Sequence, residues 1–162
     1  GANDDTLRAL AQIGIAYDSS HCPAISDGVC RISLGPDDRD PVGHMGVIEV
    51  PAGSIGAVGG GQRHAQITAL TLAEMLAAIR HARDIGRGSF TLVSHSFELI
   101  NRRKLAVNHI VRNRFGSLIR TLAMMRGVET GCYARTPPTV SLTGRDHELL
   151  PASAIRTGQR LA

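Results

Sequence analysis

Aromatic side chains are almost missing from this chain. In 162 residues there are two tyrosines, three phenylalanines and no tryptophan, so the interior has to be assembled from Ala, Val, Ile and Leu. Lysine is nearly absent too, since Lys104 is the only one among 18 basic residues. The net charge of +4 is therefore an arginine charge. A nucleic-acid binder usually gathers its basic residues on one stripe; here they cluster mainly between Arg102 and Arg126 and are otherwise scattered. Cys22, Cys30 and Cys132 make an odd count at irregular spacing, which implies neither a disulfide framework nor a zinc knuckle and fits a reducing compartment. No run approaches the ~18 apolar residues of a membrane helix. The opening, Gly1 to Leu10, is too acidic for a secretory signal. On these grounds neither membrane spanning nor self-directed export is expected, and a cytoplasmic location is.

What is present suits one folded domain: 43% hydrophobic and 20% charged residues, the balance of an ordinary globular chain. Asn3 can cap an opening helix with Asp4 and Asp5 in its first turn, where the helix dipole favours acids. Leu7, Leu10 and Ile13 give that helix one apolar stripe, and Gly14 stops it. Ile15 to Tyr17 then reads as a buried strand ending at Asp18. Residues 19–44 hold three prolines, four aspartates and three glycines without a clean period, the mark of a long functional or mobile loop. A strand is expected at Gly46 to Val50, then a glycine-rich stretch from Gly53 to Gly61. Thr71 and Glu74 form a capping box for a helix running to about Asp84, with Gly86 beyond it. Ser89 to Ser94 reads as a buried strand that delivers His95 at its C-terminal end. A long helix is expected from about Leu105 to Met125, and a last strand near Thr130 to Ala134. Pro137-Pro138 opens a tail, 136–162, in which Ser153 can start a short helix. Alternating helices and short apolar strands imply an α/β domain with parallel strands over residues 1–135. Three or four strands are few for a closed eight-stranded barrel.

In parallel α/β arrangements the residue just past a strand's C-terminal end faces the functional side. His95 and Asp18 both occupy such places. A histidine tied to the backbone and an Asx turn are the plain structural alternatives. Together the two make an acid–base pair conceivable. The run Gly59-Gly60-Gly61 lacks the Lys-Ser/Thr ending of a P-loop and the strand–turn–helix of a dinucleotide fold. His21, His44 and His64, with Asp27, Asp37, Asp38 and Asp40 nearby, are placed in loops without the spacing of a zinc site. His81 and His109 fall on helices, and Ser94 and Ser96 lack the Gly-x-Ser-x-Gly elbow.

Three segments in order carry a resemblance. Residues 13–20, Ile-Gly-Ile-Ala-Tyr-Asp-Ser-Ser, resemble a strand of polysaccharide deacetylases with the NodB homology domain. Glu49-Val-Pro51 and the glycine run that follows resemble that family's next segments. Residues 92–99, Leu-Val-Ser-His-Ser-Phe-Glu-Leu, resemble its last catalytic motif. The helix around Arg114-Phe115 resembles the one that closes many such domains, so the likeness covers about residues 1–130. It implies a partial, distorted (β/α) barrel without its N-terminal strands, which removes N-acetyl groups from an acetylated polysaccharide. The family holds a divalent metal, usually zinc, through an Asp and two His from motifs that do not occur here. Asp4-Asp5 opens a helix and does not match the catalytic pair, so no metal ligand or cofactor is expected in this chain by itself.

The resemblance makes His95 the donor of a proton to the leaving amine, and Asp18 the carboxylate that orients it. Gly60 and Gly61 bring a loop to the substrate rim, and Phe97 lines the sugar pocket. Ser96 and Phe97 stand where relatives often have Pro and Trp. The implied partners are the polysaccharide and a second polypeptide along the sheet edge, either the domain's own N-terminal half or a symmetry mate. Two alternatives remain at this point: a degenerate member that binds glycans without hydrolysing them, and a basic module using Arg102 to Arg126 on nucleic acid or another polyanion.

Overall fold

A computed structural model describes residues 1–25 and 30–161; Asp27 lies outside them. The chain is a mixed α/β fold of four helices and three small sheets among the described residues. Helix α1 spans Asp4–Gln12 behind Asn3, whose side chain accepts from the Thr6 N–H. Helix α2 spans Leu72–Asp84, and the Thr71/Glu74 capping box is formed in both directions. Helix α3 spans His109–Met124 and α4 spans Ala154–Leu161. Helix α3 starts four residues later than the periodicity suggests, because Leu105 adopts φ 47° in the turn of a hairpin. Asn108 caps it through Val111 N–H.

The first sheet has the order β1-β3-β2. Strand β1 (Tyr17–Asp18) is parallel to β3 (Val47–Glu49), and β2 (Val42–His44) is antiparallel to β3. A two-residue turn at Met45-Gly46, both with positive φ, joins β2 to β3, the geometry of a tight hairpin. Glycine is required at 46 because a Cβ there would stand 2.9 Å from that of Ala11. The other sheets are hairpins: β4 (Ser54–Gly56) with β5 (Gln62–His64), and β6 (Ile100–Asn101) with β7 (Ala106–Val107). One parallel strand pair against three antiparallel ones corrects the expected parallel arrangement. Hairpins need only local turns, and the glycine-rich stretch supplies one.

Several expected strands take other forms. Ile15 is 43% exposed, so the segment before Tyr17 is not a buried strand. Residues 130–134 form no strand; they run through turns over α2 and α3. Residues 89–94 are extended and half-buried yet make only an isolated bridge, Gln66 to Val93. The loop 19–44 is not loose where it is described. Ile32 enters the interior, His21 is buried, and Ser33 bonds Asp4. The tail also packs: Ser141 bridges Val42, and Leu150 O accepts from Gly56 N–H.

Two clusters of buried side chains result. The larger joins Ile55, Ala65, Ile67 and Leu70 to Met75, Ala78 and Ile79 of α2 and to Val111 and Leu118 of α3. The smaller has Leu7 of α1, Ile32 and Val47, flanked by Leu10, Leu34 and Met45. No helix is long and apolar enough to cross a membrane among the described residues.

Candidate functional site

His95 is carried by the extended segment before it. Gly53 N–H donates to Thr91 O at 2.8 Å, Val93 N–H to Ala65 O at 2.9 Å, and Ile67 N–H to Val93 O at 3.0 Å. Glycine at 53 permits this approach, since a Cβ would stand 2.5 Å from Thr91 O. The chain then turns into a short 3-10 segment, Ser96–Leu99. His95 N–H donates to Glu98 Oε2 at 2.8 Å. Glu98 is buried and also accepts from Thr68 Oγ1 and Gln66 Nε2, at 2.7 and 2.5 Å. Against the desolvation that burial imposes, these donors hold its carboxyl below the usual range. A permanent anion therefore anchors the backbone of His95.

The imidazole itself points to solvent. Its plane lies 7° from that of Phe97 with centroids 4.9 Å apart, and Arg102 sits over Phe97 at 4.8 Å. The ring of His95 makes no hydrogen bond among the described residues. His64, on β5 and not in a loop, lies in the same neighbourhood. Burial lowers its pKa, His95 lowers it further and Glu98 opposes them, while its Nε2 is buried with no partner.

Asp18 is placed elsewhere. Its Oδ2 accepts from Ser20 N–H at 3.0 Å, the Asx turn that a lone aspartate at a strand end favours. Across the parallel pair it faces Glu49, which is fully buried. Glu49 Oε1 accepts from His21 N–H at 2.8 Å, while Oε2 has no donor to accept from. Burial, with the neighbouring Asp18 carboxylate, pushes Glu49 up to about 8. A proton on Glu49 removes the repulsion that two facing carboxylates would otherwise exert across the strand pair. No hydrogen bond joins Asp18 to His95 among the described residues; Glu98, three residues beyond His95, is the carboxylate that touches it.

Gly60 and Gly61 lie with Gly59 in the exposed turn between β4 and β5, all at positive φ. Ala57 N–H donates to Gly61 O and Gly60 N–H to Ala57 O, both at 3.1 Å. Nothing lies within 4 Å of a Cβ built at any of the three glycines, so the run shapes a tight turn. Phe97 is half exposed beside His95. A groove of about 490 Å³ opens between α2, α3 and residues 127–136, and Ser94, Phe90 and Phe115 line it. Neither His95 nor Asp18 does.

No group of three or more His, Cys, Asp or Glu side chains is arranged to hold a metal among the described residues. Among the described residues, His21, His44, Asp38 and Asp40 are each engaged within the chain instead. His21 is tied to Gly35 O at 3.1 Å, His44 to Asp4 at 3.1 Å, and Asp38 and Asp40 to arginines. Glu98 and Glu49 are the two site carboxylates that sequence reasoning passes over. A signal existed for Glu98, in its capping-like spacing from His95. For Glu49 the only signal was its place in the Glu-Val-Pro segment. Comparisons of the chain with family models, with curated proteins and with solved structures find no match.

Proposed function

We propose that this chain is the C-terminal half of a NodB-type polysaccharide deacetylase, a partial, distorted (β/α) barrel, and that His95 is its proton donor. The observation that carries the reading is the setting of His95: an exposed imidazole whose backbone is held by a buried, ionised Glu98 at the end of an extended segment. The order of the three motif segments supports it. In the hydrolysis of an N-acetyl amide, water adds to the carbonyl carbon and the C–N bond breaks. The departing nitrogen must take up a proton, or it leaves as a poor anion. His95 supplies that proton and is then positioned to recover one from solvent. Phe97 keeps the ring stacked in one orientation. Asp18 acts through the end of β1, paired with Glu49, and not by bonding His95. Strand β1 is the edge of its sheet in the order β1-β3-β2. Its free side is where the missing strands, or a symmetry mate, would pair.

The test uses the product of the whole reading frame and an N-acetylated chito-oligosaccharide, with acetate release as the signal. His95→Ala is expected to lower turnover by about 100-fold or more while leaving metal content unchanged. Turnover preserved in the variant, or metal lost in proportion to activity, overturns the assignment. Binding of the oligosaccharide with no acetate released favours the degenerate, glycan-binding reading.

A further inference from the structure

The basic residues on either side of His95 in the sequence are distributed unevenly in a way the deacetylase reading does not require. Between residues 85 and 128 the chain has one acidic side chain, Glu98, against eight Arg and Lys side chains. Glu98 is buried and fully taken up by Gln66, Thr68 and the His95 N–H. Two of the cations are internal: Arg87 sits on Asp40, and Arg114 donates to Ile67 O and Leu70 O at 2.7 and 3.0 Å. Arg102, Arg103 and Lys104 are exposed and form no ion pair among the described residues. They lie on the turn between β6 and β7, whose shape is set by Asn101 Oδ1 accepting from Arg103 N–H and Lys104 N–H at 3.1 and 3.2 Å. That turn follows the 3-10 segment directly. Arg102 therefore reaches the Phe97 ring, which itself stacks on His95.

We propose that the polymer bound at His95 is an anionic glycan, in which acidic sugars neighbour the N-acetylated one, with Arg102 to Lys104 taking the acidic group beside the His95–Phe97 stack. The proposal rests on the deacetylase reading for the chemistry at His95, but the charge argument stands on these residues alone. The half-exposed Phe97 ring is taken up by His95 and by Arg102, and so holds that guanidinium next to the imidazole. The guanidinium beside it presents paired N–H donors that match a carboxylate, and it is weakly hydrated enough to exchange water for one. A neutral glycan would gain nothing from the three adjacent cations, whereas an acidic one would. Such a cluster also draws anionic chains in from solution, with an attraction that salt screens.

Titration calorimetry of the purified protein with two probes of equal length tests this: a hyaluronan hexasaccharide, alternating N-acetylglucosamine and glucuronate, and neutral chitohexaose. At low salt the acidic probe is expected to bind about 10-fold more tightly, an advantage that falls to under about threefold at half-molar salt. Arg102→Gln should weaken the acidic probe by about fivefold and chitohexaose by less than twofold. The double neutralisation Arg103→Gln/Lys104→Gln, at a turn held by backbone contacts to Asn101, should do the same if Arg102→Gln disturbs folding. Phe97→Ala, which removes the ring under Arg102, should weaken the acidic probe more than chitohexaose. Equal affinity for the two sugars, or equal losses in Arg102→Gln, overturns the proposal. So does a single-stranded oligonucleotide that binds as tightly as hyaluronan with the same Arg102→Gln loss, because the patch would then recognise charge without sugar. Acetate release is read separately. Acid-selective binding without release sinks the deacetylase reading and leaves this one standing. Release from chitohexaose without acid selectivity does the reverse.

Discussion

The two halves of the interior are held by different forces. Around α2 and α3 nine apolar side chains pack together, and the ion pair that reaches into that region, Arg63 on Glu74 at 2.6 Å, doubles as part of a helix cap. Around β1 to β3 the buried apolar cluster among the described residues is small, Leu7, Ile32 and Val47 with Val50 just beyond β3, while His21, Asp38, Asp40 and Glu49 are buried with them. The first region is stabilised mainly by area removed from water, with its buried carboxylates Glu74 and Glu98 each held by several donors. The second depends on each buried charge keeping its partner, since an uncompensated charge costs more than the pair contributes. The difference places sensitivity to pH and substitution at the N-terminal sheet, beside the free edge of β1.

The sharpest way to break that comparison is at Asp40. Its Oδ1 lies 3.0 Å from Arg87 Nε and 3.1 Å from His147 Nδ1, and its Oδ2 accepts from His147 N–H at 2.9 Å. The Arg87 side chain is 6% exposed, so it has no route to water. Asp40→Ala is expected to cost about 3–5 kcal/mol by urea denaturation, because it strands a buried guanidinium. A loss below about 1 kcal/mol would mean that the polar half is not held by its charges.

Glu49 sharpens the comparison through pH. Its folded pKa is raised to about 8, above the value of an unfolded glutamate. The folded state therefore binds the proton more tightly, and the resulting stability is fully present below about pH 4.5 and declines as pH rises through 8. Glu49→Gln keeps a donor toward Asp18 and removes the titration. It should flatten the fall of stability between pH 5 and 8 and, at pH 8, exceed the parent protein by on the order of 2 kcal/mol. Parallel pH–stability curves for the two proteins would show that Glu49 is not the titrating group.

The same contrast explains what the sequence discloses. Helices α1 and α2 are legible to within a residue because Asn3, Thr71, Glu74, Gly14 and Gly86 act locally, over one turn. The strands are two or three residues long, too short for any period, and so the expected strands at Ser89 and Thr130 dissolve into extended or turning chain. His95 and Phe97, picked out by an expected strand end and a motif, are stacked on each other in the structure. Asp18 is seen but joined to Glu49, not to His95. The contacts that organise the polar half are invisible from spacing, because Asp38 to Arg145 and Asp40 to His147 each span 107 positions. Glu98 is local and was legible in principle, three residues from His95, but its importance depends on Gln66 and Thr68 arriving from another segment.

Asp4 gives the smallest effect and the opposite sign. It opens α1, yet it also reaches into the loop, accepting from Ser33 through its N–H at 2.9 Å and through its hydroxyl, and from His44 Nε2 at 3.1 Å. The Ser33 hydroxyl contributes most to holding the Asp4 carboxyl down at about 2, followed by the Ser33 N–H, with His44 adding to it. A depressed folded pKa stabilises the protein above the unfolded value, and that contribution is lost as pH falls from about 4 through 2. Asp4→Asn keeps an acceptor for Ser33 N–H but gives up the charge facing His44 and the helix dipole, a loss of about 1 kcal/mol near neutrality. Below pH 2 the two proteins should converge. Thermal unfolding followed from pH 7 to pH 2 checks both statements. If the gap between them stays constant into acid, Asp4 serves α1 as a polar group and not through its charge, and the acid sensitivity of the N-terminal sheet lies with Asp38, whose carboxyl Arg145 and the Gly35 N–H hold down against the cost of burial.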